Sequence, residues 1–305
     1  MSAVEDRVHE THELGNVAAT PEFEAANQRQ EKRRGFLMAL PAFSFLTVFF
    51  AIPLVLVVVY SFATRNRFGG TDLSGWNTES YRALGDDLVR QVLTRSVVLA
   101  LLTTVICLVL AYPFAYYMST RRISIRNLML VFVMIPCWTN FLVRNYAWYV
   151  ILGTDGPLSR VTETVGIGPT RLLFTQAAVV LGLVYGFLPF MILPLYASIE
   201  RIDGRLLEAS RDLYASGFQS FRHVLLPLSL PGVVAGSILV FIPSLGAYVT
   251  PEILGGAKTT LLGSYIVTQF LTARNFPFGA ALSTVLMAVM LAATVIYFRK
   301  GGKTL

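Results

Sequence analysis

The chain has 305 residues, 54 % hydrophobic and 14 % charged, with a mean hydropathy of +0.60 and a formal net charge of +7. Soluble domains carry roughly 25 % charged residues, so this composition excludes an ordinary water-soluble globular fold. It does not indicate nucleic-acid binding either, because the basic residues are scattered along the chain and form no aromatic-interleaved patch.

Residues 1–35 are polar, with seven acids from Glu5 to Glu31 ahead of the basic run Lys32-Arg33-Arg34. This composition predicts a flexible cytoplasmic tail. It is not a secretory signal, since the apolar region begins too late and runs too long. The pair His9 and His12 has one residue too few between Glu10 and the second histidine for a zinc helix, so no metal site is expected.

Six apolar stretches follow: Phe36–Phe62, Val92–Met118, Leu128–Leu152, Ala177–Ile199, Gly232–Leu254 and Ala280–Phe298. About 20 apolar residues cross a bilayer as a helix, and runs this long read as helices rather than barrel strands. The expected fold class is therefore an all-α integral membrane domain of six helices over 36–299, with a short cytoplasmic tail over 300–305. Between the first two stretches a short interfacial helix is expected near Tyr81–Leu84. Glycine and proline at Gly156-Pro157, Gly166–Pro169 and Gly255-Gly256 mark turns in the other outer loops. Cys107 and Cys137 both lie in apolar stretches and suggest no disulfide framework.

Orientation follows from the basic residues. Six crossings put both termini on one side. That side also carries Arg121, Arg122, Arg126, Arg201, Arg205, Arg211, Arg222, Arg299, Lys300 and Lys303. The other side carries the smaller set Arg65, Arg67, Arg82, Arg90, Arg95, Arg160, Arg171, Lys258 and Arg274. Both termini and the polar loop over 200–231 are expected to be cytoplasmic.

That loop interrupts two apolar runs. Ile202–Ser216 sets Leu206, Leu207, Leu213 and Tyr214 among Glu208, Arg211 and Asp212, the pattern of a short amphipathic helix. Ser216-Gly217 offers a turn. Phe218–Leu226 then reads as a second short helix ended by Pro227. Small Ala209 and Ser210 would admit a partner surface. The spacing of Glu208, Ala209, Leu226 and Pro227 resembles the EAA loop of ABC-importer permeases, Glu-Ala-Ala-x3-Gly-x9-Ile-x-Leu-Pro. Ser210 stands for the second alanine, Val224 for isoleucine and Tyr214 for the motif glycine. Further stretches extend the likeness from Phe36 to the C-terminus: Leu142–Trp148, Tyr185–Phe190, Leu193–Glu200 and Ile242–Glu252. Together they resemble permeases of the spermidine/putrescine type in type I ABC importers.

The resemblance implies a heterodimer with a second permease, two ATPase subunits and an extracytoplasmic binding protein, working by alternating access in the cell inner membrane. It assigns ATPase coupling to Glu208, Ala209 and Ser210, with Gly217 supplying the turn before Leu226 and Pro227. The chain itself has no catalytic residues of an ATPase and needs no cofactor of its own; ATP and magnesium belong to the partners. Ala257-Lys258-Thr259 lacks both glycines of a phosphate-binding loop at the required spacing, and Gly302-Lys303-Thr304 has Tyr297 where the first should stand.

For the substrate pathway, Arg144 is the one clear charge inside a span, and intramembrane ionisable residues mark functional sites. It would serve an anionic substrate or a facing helix, or reach toward a helix end. A polyamine needs carboxylates or aromatic faces. Glu252 and Tyr248, spaced i and i+4, supply one pair, and Trp138, Tyr146, Trp148 and Tyr185 are further aromatic candidates. A carboxylate-bearing solute, amino-acid or opine-like, remains the alternative cargo, and Arg144 suits it better. An integral-membrane enzyme is the alternative of a different class. It would need buried histidines, cysteines or paired acids around one cavity, and the spans hold almost no acids. A passive channel would leave the polar loop unexplained.

Overall fold

The computed structural model describes residues 38–66, 70–73, 75–164, 172–256 and 259–301. The expected N-terminal tail, the Gly166–Pro169 turn and residues 302–305 lie outside them. The chain divides between Val57 and Val58 into two units. Helix α1 (Met38–Ser61) has 24 residues, about 36 Å of rise, enough to cross the roughly 30 Å hydrocarbon layer. A π turn over Thr47–Ala51 precedes Pro53, and none of the helix is buried before Ser61.

In the second unit a two-stranded antiparallel hairpin pairs β1 (Thr64–Arg65) with β2 (Thr71–Asp72). It is followed by the short helix α2 (Glu79–Ala83), close to where the sequence predicts one. The core is built from three long helices. The first is α3 (Asp87–Ser119), the second α7 (Gln176–Glu200) and the third α9 (Gly217–Leu245). α7 packs against both others. On α3 the buried stripe Ser96, Leu99, Ala100, Thr103, Cys107, Ala111, Ala115 and Met118 recurs every three or four residues, the spacing of one helical face. α3 has 33 residues, about 50 Å. It takes in Arg90, which the sequence places in a loop, and a helix this long must tilt or protrude from the membrane.

The contact between α7 and α9 depends on two glycines one turn apart. A Cβ on Gly232 would stand 2.4 Å from Ser198 Cβ and 2.7 Å from the Pro194 carbonyl; one on Gly236 would stand 2.7 Å from Met191 Sδ. Small residues four apart let membrane helices approach closely, which substitutes packing for a weak hydrophobic drive.

The third predicted span is broken. α4 (Ile123–Trp138) and α5 (Phe141–Leu152) are separated by Thr139 and Asn140, both extended, and the pair bends by 90°. The Asn140 side chain accepts from the Leu142 N–H at 2.8 Å and starts the new helix, so the break has its own cap. α6 (Pro157–Thr164) follows and packs on α5.

The fifth span also departs from its prediction. α9 starts fifteen positions before Gly232 and passes through Pro227, which the sequence reading takes as a stop. A π turn over Phe221–Leu225 lies just ahead of that proline. Proline clashes with the carbonyl four residues back, here that of His223, and the widened turn relieves the clash. α9 stops at Leu245, and a separate π turn over Pro251–Gly255 follows and packs on α5 and α7. Helices α10 (Leu262–Leu271) and α11 (Phe276–Gly301) pair with each other, and α10 also meets α3. The Leu262 N–H donates to Ser96 Oγ at 2.7 Å.

The sequence predicts six crossings. Among the described residues four helices are long and apolar enough, and the bent pair would make a fifth. α11 has 26 residues, with Phe276–Ala292 as its described apolar part.

Candidate functional site

The loop expected to be cytoplasmic is an ordered corner between α7 and α9. α8 (Gly204–Asp212) is its first arm. Asp203 starts it, its side chain accepting from the Arg205 N–H at 3.0 Å. Its far end is a Schellman closure. The Tyr214 N–H donates to the Arg211 carbonyl at 2.9 Å, and the Ala215 N–H to the Ser210 carbonyl at 3.1 Å. Such closures need a left-handed residue, usually glycine, and Tyr214 fills that place with φ of 57°. The turn the sequence assigns to Gly217 is therefore made by Tyr214, the position of the motif glycine. Gly217 is instead the first helical residue of α9. Ser216 and Gln219 form a reciprocal capping box, Gln219 N–H to Ser216 Oγ and Ser216 N–H to Gln219 Oε1.

The predicted coupling residues separate by face. Glu208 and Ala209 are exposed, as are Gly217 and Pro227, and Leu226 is half-buried. Ser210 points inward. Its hydroxyl meets Ser220 Oγ at 2.7 Å in a buried contact that binds α8 to α9, so it is closed to any partner surface. The outer tip is apolar: Leu213 is 82 % exposed, Tyr214 97 % and Phe218 69 %. Tyr214 therefore holds a left-handed backbone while its ring packs on nothing within the chain. Beneath the corner, α3, α8 and α9 line an open apolar cleft of about 550 Å³ bordered by Tyr112, Pro113, Leu207 and Arg211. The Tyr112 hydroxyl meets Ser229 Oγ at 2.8 Å and its ring packs edge-on to Phe221.

Of the pathway candidates, three come together. Arg144 and Trp148 on α5 face Tyr185 on α7 across a small crevice floored by Gly182 and Gly186. The Trp148 and Tyr185 rings meet edge to face at 5.5 Å. The Arg144 guanidinium lies 5.5 Å from the Phe141 ring, and its Nε and Nη1 are buried without a hydrogen-bond partner. Trp138 and Tyr146 point elsewhere and are exposed. Tyr248 and Glu252 do not belong to a transmembrane helix. They sit on the short turn after α9, where the Glu252 N–H donates to the Tyr248 carbonyl at 3.1 Å, and both side chains are exposed. The buried hydroxyls of Ser244 and Thr250, without partners, flank this break. Among the described residues no group of three or more potential ligands could hold a metal ion.

Sequence reasoning missed the Schellman closure, the Ser210–Ser220 contact and the ion pair of Arg126 with Glu200 at 2.6 Å. Of these, only the closure leaves a sequence trace, the residue at the motif glycine.

A bundle of apolar helices with an ordered polar corner on one face is the architecture of a membrane transport subunit. The chain belongs to the family of binding-protein-dependent transport system inner membrane components, whose model matches residues 104–299. It is 44 % identical over 261 residues to the spermidine/putrescine transport system permease protein PotB of Haemophilus influenzae, covering 84 % of this chain and 90 % of that one. It is 40 % identical over 264 residues to the PotB of Escherichia coli, covering 86 % and 96 %. In fold it is similar to a chain of a bacterial ABC transporter involved in import of the acidic polysaccharide alginate. The TM-score is 0.74 at 13 % identity, over 92 % of this chain and 99 % of that one. The fold is thus that of a type I ABC importer permease, and the chain is an inner-membrane transport subunit rather than an enzyme.

Proposed function

We propose that this chain is one of two permease subunits of an ATP-driven importer of polyamines, spermidine and putrescine among them. The observation that carries the reading is the 40–44 % identity, over most of both chains, to PotB permeases of two bacteria. The ordered corner of α8 and α9 supports it, because an apolar tip on a rigid base suits docking into a partner. Two ATPase subunits bind ATP and magnesium and push on Glu208, Ala209 and the Leu213–Tyr214–Phe218 tip. A second permease completes the pathway, and an extracytoplasmic binding protein delivers cargo. The basic residues Arg201, Arg205, Arg211 and Arg222 around the corner favour a cytoplasmic placement for it and for both termini. Exposed Glu252 and Tyr248 offer a carboxylate and a ring to an ammonium group, and Trp148 and Tyr185 a further aromatic pair.

A second reading has one observation in its favour. The unpartnered guanidinium of Arg144 suits a carboxylate-bearing amine. The whole complex in lipid, with its binding protein, separates the two through ATP hydrolysis measured against putrescine, spermidine and carboxylate-bearing amines. Stimulation by the polyamines alone is expected. Stimulation only by the carboxylate compounds would keep the importer and discard the polyamine.

A further inference from the structure

At the cytoplasmic end of α7, three residues before α8 begins, Glu200 meets Arg126 of α4. The Arg126 Nη1 to Glu200 Oε1 distance is 2.6 Å, with the side chains 22 % and 38 % exposed. Tyr196, one turn before Glu200 on α7, lies beside the pair. Its ring is buried and lies 6.0 Å from the Arg126 guanidinium. Arg126 Nε is buried with no partner. An exposed ion pair contributes little, but this one differs in three respects. It borders a buried tyrosine ring, it is half-sheltered, and it leaves a buried donor unsatisfied, which is unfavourable. A contact whose only purpose was stability would not be expected to retain that orphan.

Its location suggests its purpose. α4 has a single buried residue, Val133, so it is weakly anchored in the core. Through the 90° break it leads to α5, which carries Arg144 and Trp148. Glu200 is the last residue of α7, and only Arg201, Ile202 and Asp203 separate it from α8. The pair is therefore a polar clasp between the root of the docking corner and the helix that carries the pathway side chains.

We propose that Arg126, Glu200 and Tyr196 form a positioning clasp that carries movement of α8 into α4 and α5. This rests on the coupling role given to α8 above. When a partner pushes the corner, α7's end turns, and the bidirectional charge contact moves the start of α4 with it. Without the clasp, α8 still docks, but α4 is released from it.

The test uses the whole complex with ATPases and binding protein in nanodiscs. The variants are Glu200→Gln, Arg126→Gln, Tyr196→Phe and the exchange Arg126→Glu with Glu200→Arg. The readouts are cargo-stimulated over basal ATP hydrolysis, ATPase retention and the thermal midpoint. Each charge-removing variant is expected to lose about fivefold of the stimulation, the size of a typical pairwise coupling, with ATPase retention and midpoint unchanged. Tyr196→Phe should lose less, and the exchange should recover at least half. Full stimulation in the single variants would overturn the clasp, as would an exchange no better than either single change. Loss of stimulation together with ATPase release or a lowered midpoint would overturn it too, by reducing it to a structural contact. If the unmodified complex shows no cargo stimulation, the coupling role itself fails, and that result is separate from the others.

Discussion

Gly232→Ala tests the close approach of α9 to α7. The added Cβ would stand 2.4 Å from Ser198 Cβ, 2.7 Å from the Pro194 carbonyl oxygen and 3.1 Å from Leu195 Cα. Carbon atoms pack best at about 3.5–4.0 Å, so α9 and α7 would have to part by about 1 Å along this seam. Two of the three obstructing atoms are backbone and cannot rotate away. Overpacking of this kind costs about 3 kcal/mol at its upper end, while alanine gains about 1 kcal/mol over glycine inside a helix. The net is about 2 kcal/mol, or about 3 °C in the midpoint for a chain of this size. Thermal unfolding of the purified protein in detergent, followed by tryptophan fluorescence, measures it. Gly204→Ala is the control: nothing lies within 4 Å of its Cβ position, and its midpoint should hold or rise. Gly236→Ala should lose less than Gly232→Ala, because the nearest atom there is the flexible Met191 Sδ. A Gly232→Ala midpoint within a degree of the parent would refute the close seam and the argument built on it.

Tyr214→Gly should keep the Schellman closure and raise stability by about 0.5 kcal/mol, as relief of about 1–2 kcal/mol of left-handed strain outweighs the chain entropy of glycine. Tyr214→Val should lower it, and chemical denaturation of the pair gives the comparison. Ser210→Ala leaves the Ser220 hydroxyl buried and unpaired, a loss of about 1–2 kcal/mol. The double change Ser210→Ala with Ser220→Ala should lie well above the sum of the singles in a double-mutant cycle. Glu208→Lys is expected to release the ATPase while the permease still inserts, which co-purification and membrane fractionation check together. Normal uptake in that variant would remove Glu208 from the docking surface.

Much of this architecture was legible in the sequence because hydrophobic length and periodicity are direct physical signals. α7 lies within one residue of its predicted ends, and α2 falls close to its predicted place. The differences arise where local chemistry overrides those signals. Pro227 is a correct reason to end a helix unless a π turn precedes it, and no pattern of apolar residues announces one. The third span is continuous in hydrophobicity, but Asn140 caps a new helix within it. Tyr214 illustrates the limit best. The departure from the motif glycine was visible, yet a two-bond closure that forces left-handed geometry on a tyrosine can be seen only in the folded chain. Likewise, Arg126 and Glu200 are far apart in sequence, and only the packing of α4 on α7 makes them partners. Arg144, Trp148 and Tyr185 were candidates by chemistry alone. Their convergence on one crevice depends on Gly182 and Gly186, which the sequence presents as two unremarked small residues.

The continuity of α9 has a mechanical consequence. Its 29 residues make a rod of about 44 Å, one end set in the corner with α8 and the other at the break before Tyr248. A conventional linker would absorb small displacements at the corner in its own bending. A rod transmits them, and with leverage: a swing of about 10° at Gly217 displaces Leu245 by about 8 Å, more than a full helical turn. The largest displacement therefore falls at the far end of α9, beside the break over Gly246–Tyr248 that leads to Tyr248 and Glu252.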